Sequence, residues 1–149
     1  WGVLHHTGNL NKAIKNASSL VKSGGYIFLA LYQQTFLDYF WKIEKKIYSS
    51  SNKYIQSILS FLWITKTKIS FAIKGLSFRK MVESYKSKRG MNYYKNVHDW
   101  LGGYPYEAIK SNECISLLDS YGFVKSYTFV PGKYWSLSSG CNEYIFRKK

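Results

Sequence analysis

Residues 9–32 read NLNKAIKNASSLVKSGGYIFLALY, and the change of period inside this stretch decides the fold class. Leu10, Ile14, Ala17, Leu20 and Val21 recur at helical spacing, with Asn9 placed to cap the helix. Ser23-Gly24-Gly25 stops it, with a glycine suited to the left-handed position that closes a helix. Tyr26–Tyr32 (YIFLALY) then runs apolar without a break, as a parallel strand buried on both faces does. Upstream, Trp1-Gly2-Val3-Leu4 reads as the end of another buried strand. Strand, loop, helix and strand make a βαβ unit cut at its front, so residues 1–34 predict an α/β fold.

Residues 35–89 change character. They contain no proline and one glycine, Gly75. Phe36, Leu37, Phe40, Trp41, Ile43, Ile47 and Tyr48 form an apolar stripe that predicts a helix near 36–49. After Ser49-Ser50-Ser51-Asn52, a second helical pattern spans about 53–85. Lys and Arg number 12 here against three acids, Asp38, Glu44 and Glu83, so most of the excess positive charge sits in this zone. Residues 90–149 return to mixed structure. Short helices are expected at 93–101 and 111–121, strands near 123–130 and 142–148, and a loop beginning at Pro131-Gly132.

The 149 residues suit one ordinary domain, and 46% of them are hydrophobic, which excludes wholesale disorder. A formal net charge of +14 favours nucleic acid, anionic lipid or acidic substrates as partners, or else a solvated surface. Cys114 and Cys141 form no CxxC pair, and His5, His6 and His98 make no ligand set, so neither a disulfide framework nor a metal site is expected. A reducing cytoplasm is the default compartment. The chain shows no secretory signal and opens on Trp rather than Met, as a fragment or processed product does. Its most apolar run, ILSFLWI at 58–64, falls far short of the ~20 residues that span a bilayer.

Three features carry chemistry. His5 and His6 follow an expected strand end, where ligands bind in open α/β sheets. A histidine there can act as a base near neutral pH; spacing alone favours the other reading, in which one packs and caps the next helix while the other faces solvent. Asp99-Trp100-Leu101-Gly102-Gly103-Tyr104-Pro105-Tyr106-Glu107 gathers aromatics and carboxylates around a flexible turn, forming either a pocket wall or a buried aromatic plug. The aromatics of the basic zone fall on its apolar stripe. That favours core packing, or an amphipathic helix lying on anionic lipid, over base stacking.

Read together, WGVLHHTG at 1–8 and LVKSGGYIF at 20–28 resemble the fourth strand, the following helix and the fifth strand of class I S-adenosylmethionine (SAM)-dependent methyltransferases. RGMNYY at 89–94, DWLGGYPYE at 99–107 and GCNEYIF at 140–146 resemble a subgroup with a helical insertion after the fifth strand. The resemblance implies a partial Rossmann-like sheet, strands four to seven, whose last strand runs antiparallel to the others. It divides the chain into the second half of a SAM-binding core (1–34), a basic helical insertion or lid (35–89) and a C-terminal α/β part of the core (90–149). It implies methyl transfer from SAM to a small molecule. Trp1, Gly2 and Val3 would lie beside the cofactor, His5 or His6 would be the base, and Tyr32, Trp100, Tyr104 and Glu107 would line the substrate pocket. The family's glycine-rich loop and the acid that holds the ribose would precede Trp1, so a fragment inactive by itself is expected. The alternative function is a basic amphipathic module that binds an anionic membrane or nucleic acid without catalysis.

Overall fold

A computed structural model describes residues 2–130 and 140–149. Trp1 and the loop expected at Pro131-Gly132 lie outside the described residues. The chain divides into two compact units, residues 1–42 with 105–149 and residues 43–104. Residues 35–42 thus group with the first unit and 90–104 with the second.

In the first unit a 3₁₀ turn at Leu4–His6 leads to α1 (Leu10–Ser19) and β1 (Tyr26–Tyr32). The unit ends with α6 (Ser111–Ser120), β2 (Phe123–Phe129) and β3 (Cys141–Lys148). Asn9 caps α1 as its position suggests, accepting the Lys12 N–H at 3.0 Å. At the other end, the Lys148 ammonium donates to the Val21 carbonyl at 2.7 Å, placing a cation at the negative end of the helix. Gly24 turns at φ +77, and a Cβ on Gly25 would come within 2.9 Å of the Lys22 carbonyl. The glycine pair therefore serves the tight turn into β1.

The sheet corrects the expected architecture. The partial Rossmann-like methyltransferase sheet of strands four to seven is not formed. The described residues form a three-stranded sheet in the order β1-β3-β2, with both neighbouring pairs antiparallel. Among the described residues the fold is mixed α/β, with six helices and this small antiparallel sheet. No strand forms at 2–4, for a local reason. Gly2 sits at φ +65, far from extended backbone. The next residues close on themselves: the His6 N–H donates to the Val3 carbonyl at 3.0 Å and the Thr7 hydroxyl to the Leu4 carbonyl at 2.8 Å. Polar groups that a strand would offer to a neighbour are already used. YIFLALY is an edge strand of this sheet, with Ile27, Leu29 and Leu31 buried on one face; on the other, Tyr26 and Phe28 are exposed and only the Ala30–Tyr32 end is covered. The last strand does run antiparallel to both neighbours.

One face of the sheet makes the core of the unit. Ile27, Leu29 and Leu31 of β1 join Tyr144 and Phe146 of β3, and Leu10, Ile14, Cys114 and Leu118 cover them from α1 and α6.

The second unit is helical. The long pattern at 53–85 divides into α3 (Lys53–Ile73) and α4 (Phe78–Arg89) at Gly75, which takes φ +65. α5 (Tyr93–Leu101) packs between them and α2 (Asp38–Ser50), which enters this unit at Ile43. Tyr48, Tyr93, Val97 and Leu101 form its core, with Leu59, Trp63 and Trp100 packed on them.

Lys45 is fully buried in this unit. Its ammonium donates to the Trp100 carbonyl at 2.8 Å, lies 3.5 Å from the centre of the Trp100 ring, and is 3.8 Å from the Glu44 carboxylate. Burial pulls its pKa down from 10.5 to about 8, against the opposing pull of Glu44. Between those values the unfolded chain holds a proton that the folded chain has released, so stability rises with pH through this window. Unfolding by urea at pH 7.5 and 9.5 should show a gain of about 2 kcal/mol, at ~1.4 kcal/mol per pH unit above 8. Lys45→Met should lose this gain, and an unchanged pH dependence in that variant would assign it to other groups.

Candidate active site

The site forms where three pieces of the first unit meet: the 3₁₀ turn carrying His5 and His6, the end of β1 at Tyr32, and the segment 105–109. Backbone bonds fix the meeting point. The Glu107 N–H donates to the His5 carbonyl at 3.0 Å, the Ile109 N–H to the Tyr32 carbonyl at 3.0 Å, and the Gln34 N–H to the Ile109 carbonyl at 3.2 Å. Gln33 and Ile109 pair as a parallel bridge. The short-range turn of VLHHT and the long-range return of the chain at Pro105 together bring residues about a hundred positions apart side by side.

The two histidines differ in environment. His5 is 1% exposed. Its ring lies 3.9 Å from that of Tyr32, centre to centre, and its Nδ1 is buried without a hydrogen-bond partner. Burial, aided by the neighbouring His6, lowers its pKa from 6.5 to about 3. His5 is therefore uncharged and weakly basic at neutral pH. His6 is half-buried, and its Nδ1 lies 2.9 Å from the Pro105 carbonyl. A carbonyl only accepts, so Nδ1 carries the hydrogen and donates, and Nε2 is left with the lone pair. The ring of His6 stands edge-on to both His5, at 4.4 Å, and Tyr32, at 5.6 Å.

Aromatic rings continue the site. Tyr106 stacks on Tyr32 at 5.2 Å, and its hydroxyl reaches Asp38 Oδ1 at 3.5 Å. Burial, with Cys141 nearby, pushes the Tyr32 hydroxyl up to about 12, so it stays protonated. Asp38 is held in place by the N–H and hydroxyl of Thr35, at 3.0 and 2.9 Å. Glu107 borders an open cavity of about 400 Å³ together with Asn9, Asn11 and Glu113, and its Oε2 is buried without a partner.

Of the residues expected from sequence, the rings of His5, His6 and Tyr32 come together here, while Glu107 joins them through its backbone and turns its side chain to the cavity beside Asn9 and Glu113. Trp100 and Tyr104 belong to the second unit. There the Trp100 ring lies 4.3 Å from that of Trp63 and beneath the Lys45 ammonium, while Tyr104 is exposed and its N–H donates to the Gly102 carbonyl. Gly2 borders a depression of about 200 Å³ beside Ala17 and β1, and Val3 is 62% exposed. Among the described residues no three His, Cys, Asp or Glu side chains are arranged to hold a metal ion.

Sequence reasoning missed Pro105, Tyr106 and Asp38 as members of the site. Asp38 had a signal, because Thr-x-x-Asp before an apolar helical run is the pattern of a reciprocal helix cap. Tyr106 stands in the same aromatic turn as Tyr104, and only the path of the backbone distinguishes them. In the second unit, the Tyr48 hydroxyl bridges Ser60 Oγ at 2.9 Å and His98 Nδ1 at 2.7 Å, a polar relay with no sequence signature.

No protein-family model matches the chain, and neither the curated proteins nor the solved structures contain a significant match.

Proposed function

We propose that this chain supplies the proton-accepting residue and part of the substrate pocket of a SAM-dependent methyltransferase acting on a small molecule. The observation that carries the reading is the His6–Pro105 hydrogen bond, which fixes Nδ1 as a donor and leaves Nε2 able to accept a proton. The resemblance of VLHHT and its downstream motifs to that family supplies the reaction class.

The fit to the cofactor is partial. A Cβ on Gly2 would meet nothing within 4 Å, and Val3 presents an exposed apolar surface. The adjoining depression of about 200 Å³ is below the ~300–1,000 Å³ usual for a complete ligand site. Gly2 and Val3 would hold only part of SAM, and among the described residues no glycine-rich strand–loop–helix is present for its amino-acid end. When bound, SAM supplies an electrophilic methyl group on a sulfonium.

The chain's own residues then have distinct tasks. His6 Nε2 would take the proton from the reacting O–H or N–H group of the substrate. The neutral, buried His5 keeps the Tyr32 ring in place. The part-exposed Tyr32 would give the substrate an apolar ring surface, backed by the buried Tyr106, and Glu107 borders the open cavity of about 400 Å³.

The test is titration of SAM into the 149-residue chain, followed by amide chemical shifts. Weak binding is expected, with Kd above about 100 μM and shifts centred on residues 2–6 and the end of β1. Absence of shifts there at millimolar SAM overturns the reading. Micromolar affinity would show that a glycine-rich loop is not needed.

A further inference from the structure

Helix α3 (Lys53–Ile73) is 21 residues long and has no buried residue. One side carries Leu59, Trp63 and Ile64, which pack against the core of the helical unit. The other side carries a second apolar stripe. Ile55, Ile58, Leu62, Ile69 and Ile73 are 43% to 81% exposed, and Tyr54 and Phe61 are exposed beside them. At about 100° per residue these seven fall within an arc of about 120°, as wide as the stripe an ordinary helix buries in a core. A contiguous apolar surface of this kind marks an interaction site.

Charge selects the occupant. Residues 53–73 contain Lys53, Lys66 and Lys68 and no acid. On the helical wheel Lys66 borders the stripe on one flank and Lys68 on the other. Across residues 43–104, Lys and Arg number 12 against three acids. Long lysine stems can lie along apolar surface while their heads reach charged groups. Aliphatic side chains dominate the stripe and offer bases little to stack on, which argues against nucleic acid. A second copy would bring an equally cationic unit against the first. No helix among the described residues is long and apolar enough to cross a membrane, so the fitting geometry is a helix lying in the headgroup layer.

We propose that the exposed stripe of α3 is a docking surface for an anionic lipid membrane, inserted to the depth of its Ile and Leu side chains and held by the flanking lysines. The proposal stands on the helical unit alone and does not depend on methyl transfer.

Vesicle co-sedimentation of the 149-residue chain tests it. Vesicles of phosphatidylcholine with phosphatidylserine are compared with phosphatidylcholine alone, at low and high salt. Two variants accompany the wild type, Ile58→Ser/Leu62→Ser and Lys66→Glu/Lys68→Glu. All four positions are exposed, and circular dichroism checks that the helices persist. Binding is expected to anionic vesicles, to weaken with salt, and to fall about tenfold or more in each variant. Absence of binding to anionic vesicles at low salt overturns the proposal, as does equal binding by wild type and variants. Sedimentation velocity reads the competing occupant: a dimer abolished by Ile58→Ser/Leu62→Ser, without vesicle binding, would assign the stripe to a second copy. Equal affinity of wild type and the Ile58→Ser/Leu62→Ser variant for single-stranded RNA, without vesicle binding, would assign the charge to nucleic acid.

Discussion

Acid should unfold the sheet-bearing unit through His5. The folded state holds this ring neutral down to about pH 3, while the unfolded chain protonates it near 6.5. Between those values the unfolded state binds more protons, so stability is full above 6.5 and falls as the pH drops. The slope approaches ~1.4 kcal/mol per pH unit, which makes the loss about 2 kcal/mol at pH 5. The cause is burial first and His6 second, and the unpartnered Nδ1 leaves the added charge no acceptor to meet. His5→Phe keeps a ring against Tyr32 and removes the titrating group. Urea midpoints at pH 7.5 and pH 5 should differ strongly in the wild type, and about 2 kcal/mol less in His5→Phe. An identical acid sensitivity in the variant would assign the effect elsewhere.

His6→Ala should lower kcat for methyl transfer by about 100-fold or more, because removing a positioned general base typically costs 10²–10⁴. The measurement needs the methyl-transferring form of the protein and an acceptor that it turns over. His6→Asn separates the two roles of the ring. Its amide nitrogen takes the place of Nδ1 and can still donate to the Pro105 carbonyl, yet it cannot take a proton at neutral pH. Equal losses in both variants identify proton acceptance as the function. Retention of activity by Asn makes His6 a positioning residue, and a loss under about threefold in Ala removes it from the chemistry. His5→Phe is the informative partner: a neutral, buried ring should be replaceable with little loss of kcat.

The contrast between these adjacent histidines shows where sequence reading stops. Both sit in the same VLHHT stretch, and their residue type and spacing are equivalent. What separates them is a carbonyl from Pro105 against His6 and the closer stacking of Tyr32 on His5, and neither partner is a local neighbour. The same holds for Glu44-Lys45-Lys46. One lysine of a solvated-looking charge run is fully buried with its ammonium over the Trp100 ring, and only the packing of α2 on α5 decides which.

Local signals determined the elements of this protein. Asn9, Asn52 and Asn92 accept N–H groups at helix starts, Gly24-Gly25 turns the chain, and β1 and α5 fall where the spacing puts them, because caps, left-handed glycines and apolar periods act within a few residues. The sequence also carried the paired histidines and the aromatic turn that forms half of the site. Tertiary structure alone decided how the strands pair. An apolar run such as YIFLALY satisfies a central parallel strand and an antiparallel edge strand equally well, and the choice rests on partners more than a hundred residues away. It also decided that His6 is held against Pro105, and that α3 keeps one apolar stripe for the helical core and leaves the other uncovered. A period reports that a face is apolar; what covers that face is a non-local property of the whole packing.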